Sequence, residues 1–282
     1  MSFKQKQNLR LAVLIACALS LQACGGGDSD SGTRAGLPVT ETAATGQGDG
    51  VTGLIGVDGN RGAGLATAKG FRFSMDEMVD IANPDKLARR MFYDQPSTGP
   101  DAEWFDAIKR GDTIRVRQMV EAGQNLEARD EASLGQTALG WAAFIGYEDI
   151  VDYLLEKGAS VHATDRGDVY NVLKSAALGK NVNIVRKIHQ RLPETDFNDQ
   201  TIEADGETLI MVAASNNRLE VVKYLIEQGS NVNLVATTKD KSLGAYDQGP
   251  LSYACTRNHP EMVKLLVAHG AINHRNGKPA CD

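Results

Sequence analysis

An all-α solenoid of about five repeats, each a pair of short helices, is the fold class this sequence predicts. The first observation is self-similarity beyond Asp101. "AAFIGYEDIVDYLLEKGASVHATD" (142–165) returns as "AASNNRLEVVKYLIEQGSNVNLVA" (213–236) and "ACTRNHPEMVKLLVAHGAINHRNG" (254–277). "AIKRGDTIRVRQMVEAGQNLEARD" (107–130) is a looser copy and "AALGKNVNIVRKIHQRLPETDFND" (176–199) a degenerate one. The second is spacing: the leading alanines fall at 107, 142, 176, 213 and 254, steps of 35, 34, 37 and 41. Such a period marks stacked helical hairpins, in which each unit buries its apolar face only against its neighbours. The third is apolar periodicity inside each unit, at 150, 151, 154 and 155, again at 221, 222, 225 and 226, and at 262, 263, 266 and 267. That is helix spacing with one buried stripe.

Within a unit, the first helix carries a small pair such as Ala142-Ala143 or Ala213-Ala214, which lets neighbouring helices approach closely. Gly111 and Gly146 supply a tight turn into the second helix. Gly123, Gly158, Gly229 and Gly270 stand where that helix ends in a left-handed cap. Upstream, Ser74 followed by Glu77 is a capping box, and Asn83-Pro84 is a cap with proline at the first helical position. Residues 71–100 therefore predict two short helices packed as a lid on the start of the repeat domain, 101–282. The repeats are joined by links of unequal length. The fourth-to-fifth link, 229 to 249, is the longest, and its surplus "ATTKDKSLGAYDQG" predicts a projecting finger bearing Tyr246. Binding function concentrates in such loops, with plain drift as the alternative.

These units resemble ankyrin repeats. "GQTALGWAA" (135–143), "GETLIMVAA" (206–214) and "GPLSYAC" (249–255) are similar to the family's GxTPLHxAA opening, and "LLEKGASV" and "LLVAHGAI" to its close. Gly140, Lys174, Met211 and Ser252 replace the family histidine, and the third unit has Leu192-Pro193 where the terminal glycine belongs. The resemblance implies a protein partner, bound by the inter-repeat turns and by variable positions after each alanine pair. Here those positions hold Lys109 and Arg110, Phe144 and Ile145, Leu178, Ser215 with Asn216, and Thr256 with Arg257. Phe144 and Ile145 read either as an exposed apolar binding pair or with Phe144 tucked against Leu178 of the next unit. Trp141 occupies a position that reads as core.

The N-terminus sets the compartment. Lys4, Lys6 and Arg10 precede "LAVLIACALSL" (11–21), which as a helix spans about 16 Å, too short to cross a bilayer but suited to a secretory signal. Leu21-Gln22-Ala23-Cys24 resembles a bacterial lipobox. By that resemblance residues 1–23 are a signal peptide, Cys24 is acylated as the first mature residue, and Gly25 after it routes the protein to the outer membrane. The lipid-anchored domain would then face the periplasm. Several acyl chains anchor stably where one does not. Residues 24–70 are rich in Gly, Ser, Thr, Ala and Asp, a flexible tether with a reach of roughly 35–40 Å. In that compartment Cys255 and Cys281 read either as a disulfide closing a loop of about 26 residues, or as one buried and one loose thiol.

Charge and motif content exclude other classes. Loss of residues 1–23 removes three positive charges and no negative ones, moving the net charge from −6 to −9, which disfavours nucleic acid. "GNRGAGLATAKG" lacks the Walker pattern and a preceding strand. Ser133, Ser175 and Ser252 have no nucleophile elbow, the histidines are scattered, and no CxxC is present, so no catalytic set, cofactor or metal site is expected. Asp196, Asp199, Glu203, Asp205 and Glu207 read as a solvated loop, with calcium binding a distant second because the EF-hand spacing is missing. Two functions remain: a membrane-tethered binder of a periplasmic protein, in its sharper form an immunity protein against a basic secreted toxin, or an envelope scaffold.

Overall fold

The computed structural model describes residues 70–282; the signal peptide, Cys24 and nearly all of the tether lie outside the described residues. Five helix pairs follow one another: α3 (Ala102–Arg110) with α4 (Thr113–Glu121), α5 (Ala138–Ile145) with α6 (Glu148–Glu156), α7 (Val172–Leu178) with α8 (Val182–His189), α9 (Leu209–Ser215) with α10 (Leu219–Glu227), and α11 (Pro250–Thr256) with α12 (Pro260–Ala268). First helices stack on first helices and second on second, the order a solenoid requires. A two-residue antiparallel ladder, β1 (Arg129–Asp130) with β2 (Gln136–Thr137), stiffens the turn between the first two pairs.

The sequence pattern accounts for the packing. Ile150, Val151 and Leu154 of α6 are fully buried, as are Val221, Val222 and Leu225 of α10. In α12 only Met262 and Leu266 are; among the described residues no repeat packs on its far face. Gly123, Gly158, Gly229 and Gly270 all adopt positive φ after the second helices. The turn between helices uses the same left-handed conformation at Gly111 and Gly146, and Asn217 and Asn258 take it over in the last two repeats. Asparagine tolerates this region better than other non-glycine residues. In the third repeat the register breaks. Gly179 is extended, and a methyl group there would collide with the carbonyl oxygen of Phe144 in the preceding repeat. Gly179→Ala should therefore cost about 1–3 kcal/mol, an overpacking penalty readable in a urea melt.

Where that repeat lacks its terminal glycine, Leu192 is buried in the core and does not take the left-handed conformation. At the other end, Cys255 in α11 and Cys281 are joined by a disulfide. Exchanging both for serine removes a cross-link over a loop of about 26 residues, an expected loss of about 3 kcal/mol; equal melts with and without reductant would contradict it.

The N-terminal helices form as their caps dictate but pack differently from the expected lid. Ser74 caps α1 (Met75–Ile81) in a full capping box, and Asn83 caps the single turn α2 (Pro84–Leu87), followed by a 3-10 turn at Ala88–Arg90. Instead of resting on the first repeat alone, this segment is a strap along the solenoid. Arg72 starts it at the first repeat, bonding the Gly111 carbonyl at 2.5 Å and pairing with Asp149 at 2.6 Å. Phe73 stacks on Tyr147 with ring centroids 5.0 Å apart. Asp80 meets Lys180 of the third repeat, Arg218 of the fourth binds the carbonyls of Asp80 and Ile81, and Lys86 reaches His259 of the fifth. The chain then turns back through Arg90 and Phe92, whose ring centroid lies 6.5 Å from that of Trp141, to Ser97 beside Lys109. Met78, Ile81, Ala82, Phe92 and Tyr93 are buried in the same core as the repeats. Their apolar area drives the strap down.

Candidate binding surface

The strap changes what the first helices can present. Phe144 is 0 % exposed, Ile145 1 %, Leu178 3 % and Lys109 3 %, so none of these four offers a binding surface, contrary to the expectation for variable positions. Phe144 lies 5.9 Å from the Trp141 ring and in one core with Leu178, as in the buried alternative. Ile145 lies at a small open pocket that Phe73 and Ile81 of the strap also line. Lys109 is turned inward: its ammonium pairs with Asp130 at 2.6 Å, donates to Ser97 at 2.7 Å and sits 4.9 Å from the Trp141 ring centre. Asp130, fully buried, also accepts from the Trp141 indole at 3.0 Å. Arg110 is half-buried, and its carbonyl accepts from the Arg72 amide at 3.0 Å.

The long link also departs from expectation. It folds back over the last two repeats, with Ala245 buried against Met211 and Tyr253 in a second small core. Ala236 donates to the Gln248 carbonyl at 2.8 Å, and Thr238 ties the loop to Asp205 of the preceding link at 2.9 Å. Tyr246 is half-buried near Lys241, while Leu243 at the tip is 45 % exposed and Ile202 on the neighbouring link 42 %. With Ile272 of the last repeat, 43 % exposed, they are the exposed large apolar side chains near the fourth and fifth repeats among the described residues.

Beneath these links lies a buried charge network that residue-by-residue reading missed. The 196–207 acidic stretch is only partly solvated. Glu203 turns inward to Lys174, 1 % exposed, at 2.6 Å, and Asp168 approaches the same ammonium at 3.5 Å. Burial raises the Glu203 carboxyl to about 7, and the Lys174 charge opposes that rise. Burial likewise raises Glu207, against the hydrogen bond it accepts from the Tyr253 hydroxyl. Arg90 of the strap is buried between Asp165 and Asp168. Lys174 stands where the repeat pattern has histidine; a cation there, one link from five carboxyls, was the available signal.

A cleft between the strap tip and the 236–249 link is lined by the carboxylates of Asp168, Asp205 and Glu207, the cations Lys86 and Arg257, and the buried Leu178 and Val212. Among the described residues, no group of His, Cys, Asp and Glu is arranged to hold a metal ion, and no helix is long and apolar enough to cross a membrane. The arrangement suits recognition of charged protein side chains.

Comparison with known proteins gives the class. Residues 173–276 match the family model for ankyrin repeats in three copies, and residues 134–166 the model for a single ankyrin repeat. The chain carries ankyrin repeats and folds as an ankyrin solenoid. Its relatives include the potassium channel AKT2/3 of Arabidopsis thaliana, 30 % identical over 165 residues, covering 58 % of this chain and 18 % of the channel. The ankyrin repeat and KH domain-containing protein mask-1 of Caenorhabditis elegans is 28 % identical over 193 residues, 68 % of this chain and 6 % of that protein. A probable 26S proteasome regulatory subunit p28 of Saccharomyces cerevisiae is 25 % identical over 171 residues, 59 % of this chain and 70 % of the subunit. The chain thus spans under a quarter of the first two relatives. The ankyrin repeats support a protein–protein interaction module.

Proposed function

We propose that this protein is a lipid-anchored binder of a protein partner in the periplasm, held at the outer membrane through Cys24 on the 24–70 tether. The observation that carries the binding half is the cleft of the last repeats, where charged groups of both signs line one recess with the exposed Leu243, while the strap covers the first helices further back. Leu243, Gly244 and Ala245 of the 236–249 link line this surface, with the half-buried Tyr246 next in the chain; Phe144, Ile145, Leu178 and Lys109 serve as core. The lipobox-like Leu21–Cys24 carries the anchoring half, and the bonded Cys255–Cys281 pair supports an oxidising compartment. In its sharper form the role is immunity: an acidic, tethered binder complements a basic secreted toxin and is steered to it electrostatically.

Two experiments test this. Metabolic labelling with a fatty acid should mark the wild-type chain and leave Cys24→Ser unmarked; label on neither would sink the anchoring. Affinity purification from envelope extracts should recover a partner that is lost on Leu243→Asp or Tyr246→Ala and kept on Arg110→Ala. A recovered toxin fits the immunity role, a resident envelope component the scaffold instead, and a partner insensitive to the first two changes removes the cleft from the reading.

A further inference from the structure

The strap is anchored unevenly. Its outward arm is pinned by Arg72, Phe73, Met78 and Ile81 and its return arm by Phe92 and Ser97. Between them no residue of α2 is buried. Cavities of about 510 Å³ and 220 Å³ flank this tip, both lined by Lys86, Leu87 and Asp168. It is also the most basic part of the strap, Lys86-Leu87-Ala88-Arg89-Arg90.

Its cations meet opposite surroundings. Arg90 is seated between Asp165 and Asp168. The Lys86 ammonium instead lies 3.2 Å from His259 Nε2, facing Arg218 and Arg257, with no described carboxylate in ion-pair range and only the weaker influence of Asp85. Burial and those two guanidiniums depress its proton affinity, and burial and Lys86 do the same to His259. Asp205 and Glu207 also line the smaller cavity; among the described residues neither is in an ion pair, Glu207 accepting only from the Tyr253 hydroxyl, while the Lys174 ammonium is committed to Glu203 and Asp168. A basic segment thus sits beside an acidic wall, half engaged with it and half repelled.

We propose that the strap tip, residues 83–90, is an autoinhibitory stand-in for the partner: it occupies a groove suited to a short basic protein segment, which lifts the tip and pairs with Asp168, Asp205 and Glu207. Displacement relieves the crowding of Lys86 against Arg218, Arg257 and His259, so the incoming segment has a differential affinity for the open form, without which no ligand shifts such an equilibrium. Arg90 marks the position of one cation of that segment. The inference rests on the protein-binding reading above and narrows the partner to one with an exposed basic stretch.

The test uses the strap's own sequence as probe. A peptide of residues 83–92, NPDKLARRMF, is titrated against the wild-type chain and against a chain whose residues 84–89 are exchanged for Gly and Ser, its fold checked by circular dichroism. The expected result is binding to the exchanged chain at least about tenfold tighter than to wild type, abolished when the peptide carries Glu for its Lys and both Arg. Equal affinity for both chains, or none for the folded exchanged chain, overturns the proposal. Should that chain not fold, Lys86→Glu decides. A carboxylate among His259, Arg218 and Arg257 should slow amide exchange at 85–89 about fivefold or more, and unchanged or faster exchange overturns it. The peptide needs no envelope partner, so its failure is separable from a failure to capture one.

Discussion

Lys174→Met should lower the stability of the folded chain by about 3–5 kcal/mol at pH 8 and by clearly less at pH 5. Lys174 is 1 % exposed and its ammonium holds Glu203 at 2.6 Å and Asp168 at 3.5 Å, so its removal strands the buried Glu203 carboxylate, while the exposed Asp168 keeps Arg90. The pH dependence follows from Glu203. Its carboxyl has a folded pKa raised to about 7 from the ordinary 4.5, so the folded state keeps a proton that the unfolded state releases. Such a group disfavours folding progressively as pH rises from the unfolded value through the folded one, then by a constant amount above it. Without Lys174, which now pulls that pKa down, the window extends to higher pH. At pH 5 the variant folds with Glu203 neutral; at pH 8 it must expel a proton or bury a lone charge. Urea melts at the two pH values decide, and losses equal at both would refute the role given to Glu203.

Arg218→Ala should be comparably damaging, about 3 kcal/mol or more, and should loosen the strap before the repeats. The guanidinium is buried and donates to Leu178 O at 2.7 Å, Asp80 O at 3.1 Å and Ile81 O at 2.7 Å. Its proton affinity falls to about 10 through burial, Asp80 opposing, so carbonyl dipoles rather than a directly bonded carboxylate satisfy most of the charge. Alanine leaves three acceptors to be hydrated or orphaned, each worth about 1–3 kcal/mol when buried. Lysine, with no planar fork, cannot restore all three. Trypsin should then cleave after Lys86, Arg89 or Arg90 much faster than in the wild-type chain, while the repeats persist. Cleavage at an unchanged rate would mean that Arg218 does not hold the strap.

The repeats were legible because each unit states its own rules locally: the alanine pair, the apolar stripe at 150, 151, 154 and 155, and the terminal glycine. Even the exceptions follow, since Asn217 and Asn258 are residues that tolerate the left-handed turn. What was not legible is what lies over the first helices. Phe144 is buried by its own repeats, against Trp141 and with Leu178, while a segment 60 or more residues earlier in the chain lies beside Ile145 and Leu178. The signal was present in that segment: Phe71, Phe73, Met78, Ile81, Phe92 and Tyr93 are too much apolar surface for two short helices confined to one end. Lys174 and Glu203 illustrate the same limit for charge. Twenty-nine positions apart, neither identifies the other until stacked repeats bring a link over a first helix.

Hydrogen exchange followed by mass spectrometry tests the strap most directly. Amides of residues 76–82 and 91–93 should exchange on the slow timescale of α5 and α7, with only the tip, 83–90, faster. Exchange of the whole 71–93 segment at the rate of an unstructured peptide, with α5 and α7 still protected, would mean that the first helices are uncovered and that Ile145 and Leu178 belong to an open surface after all.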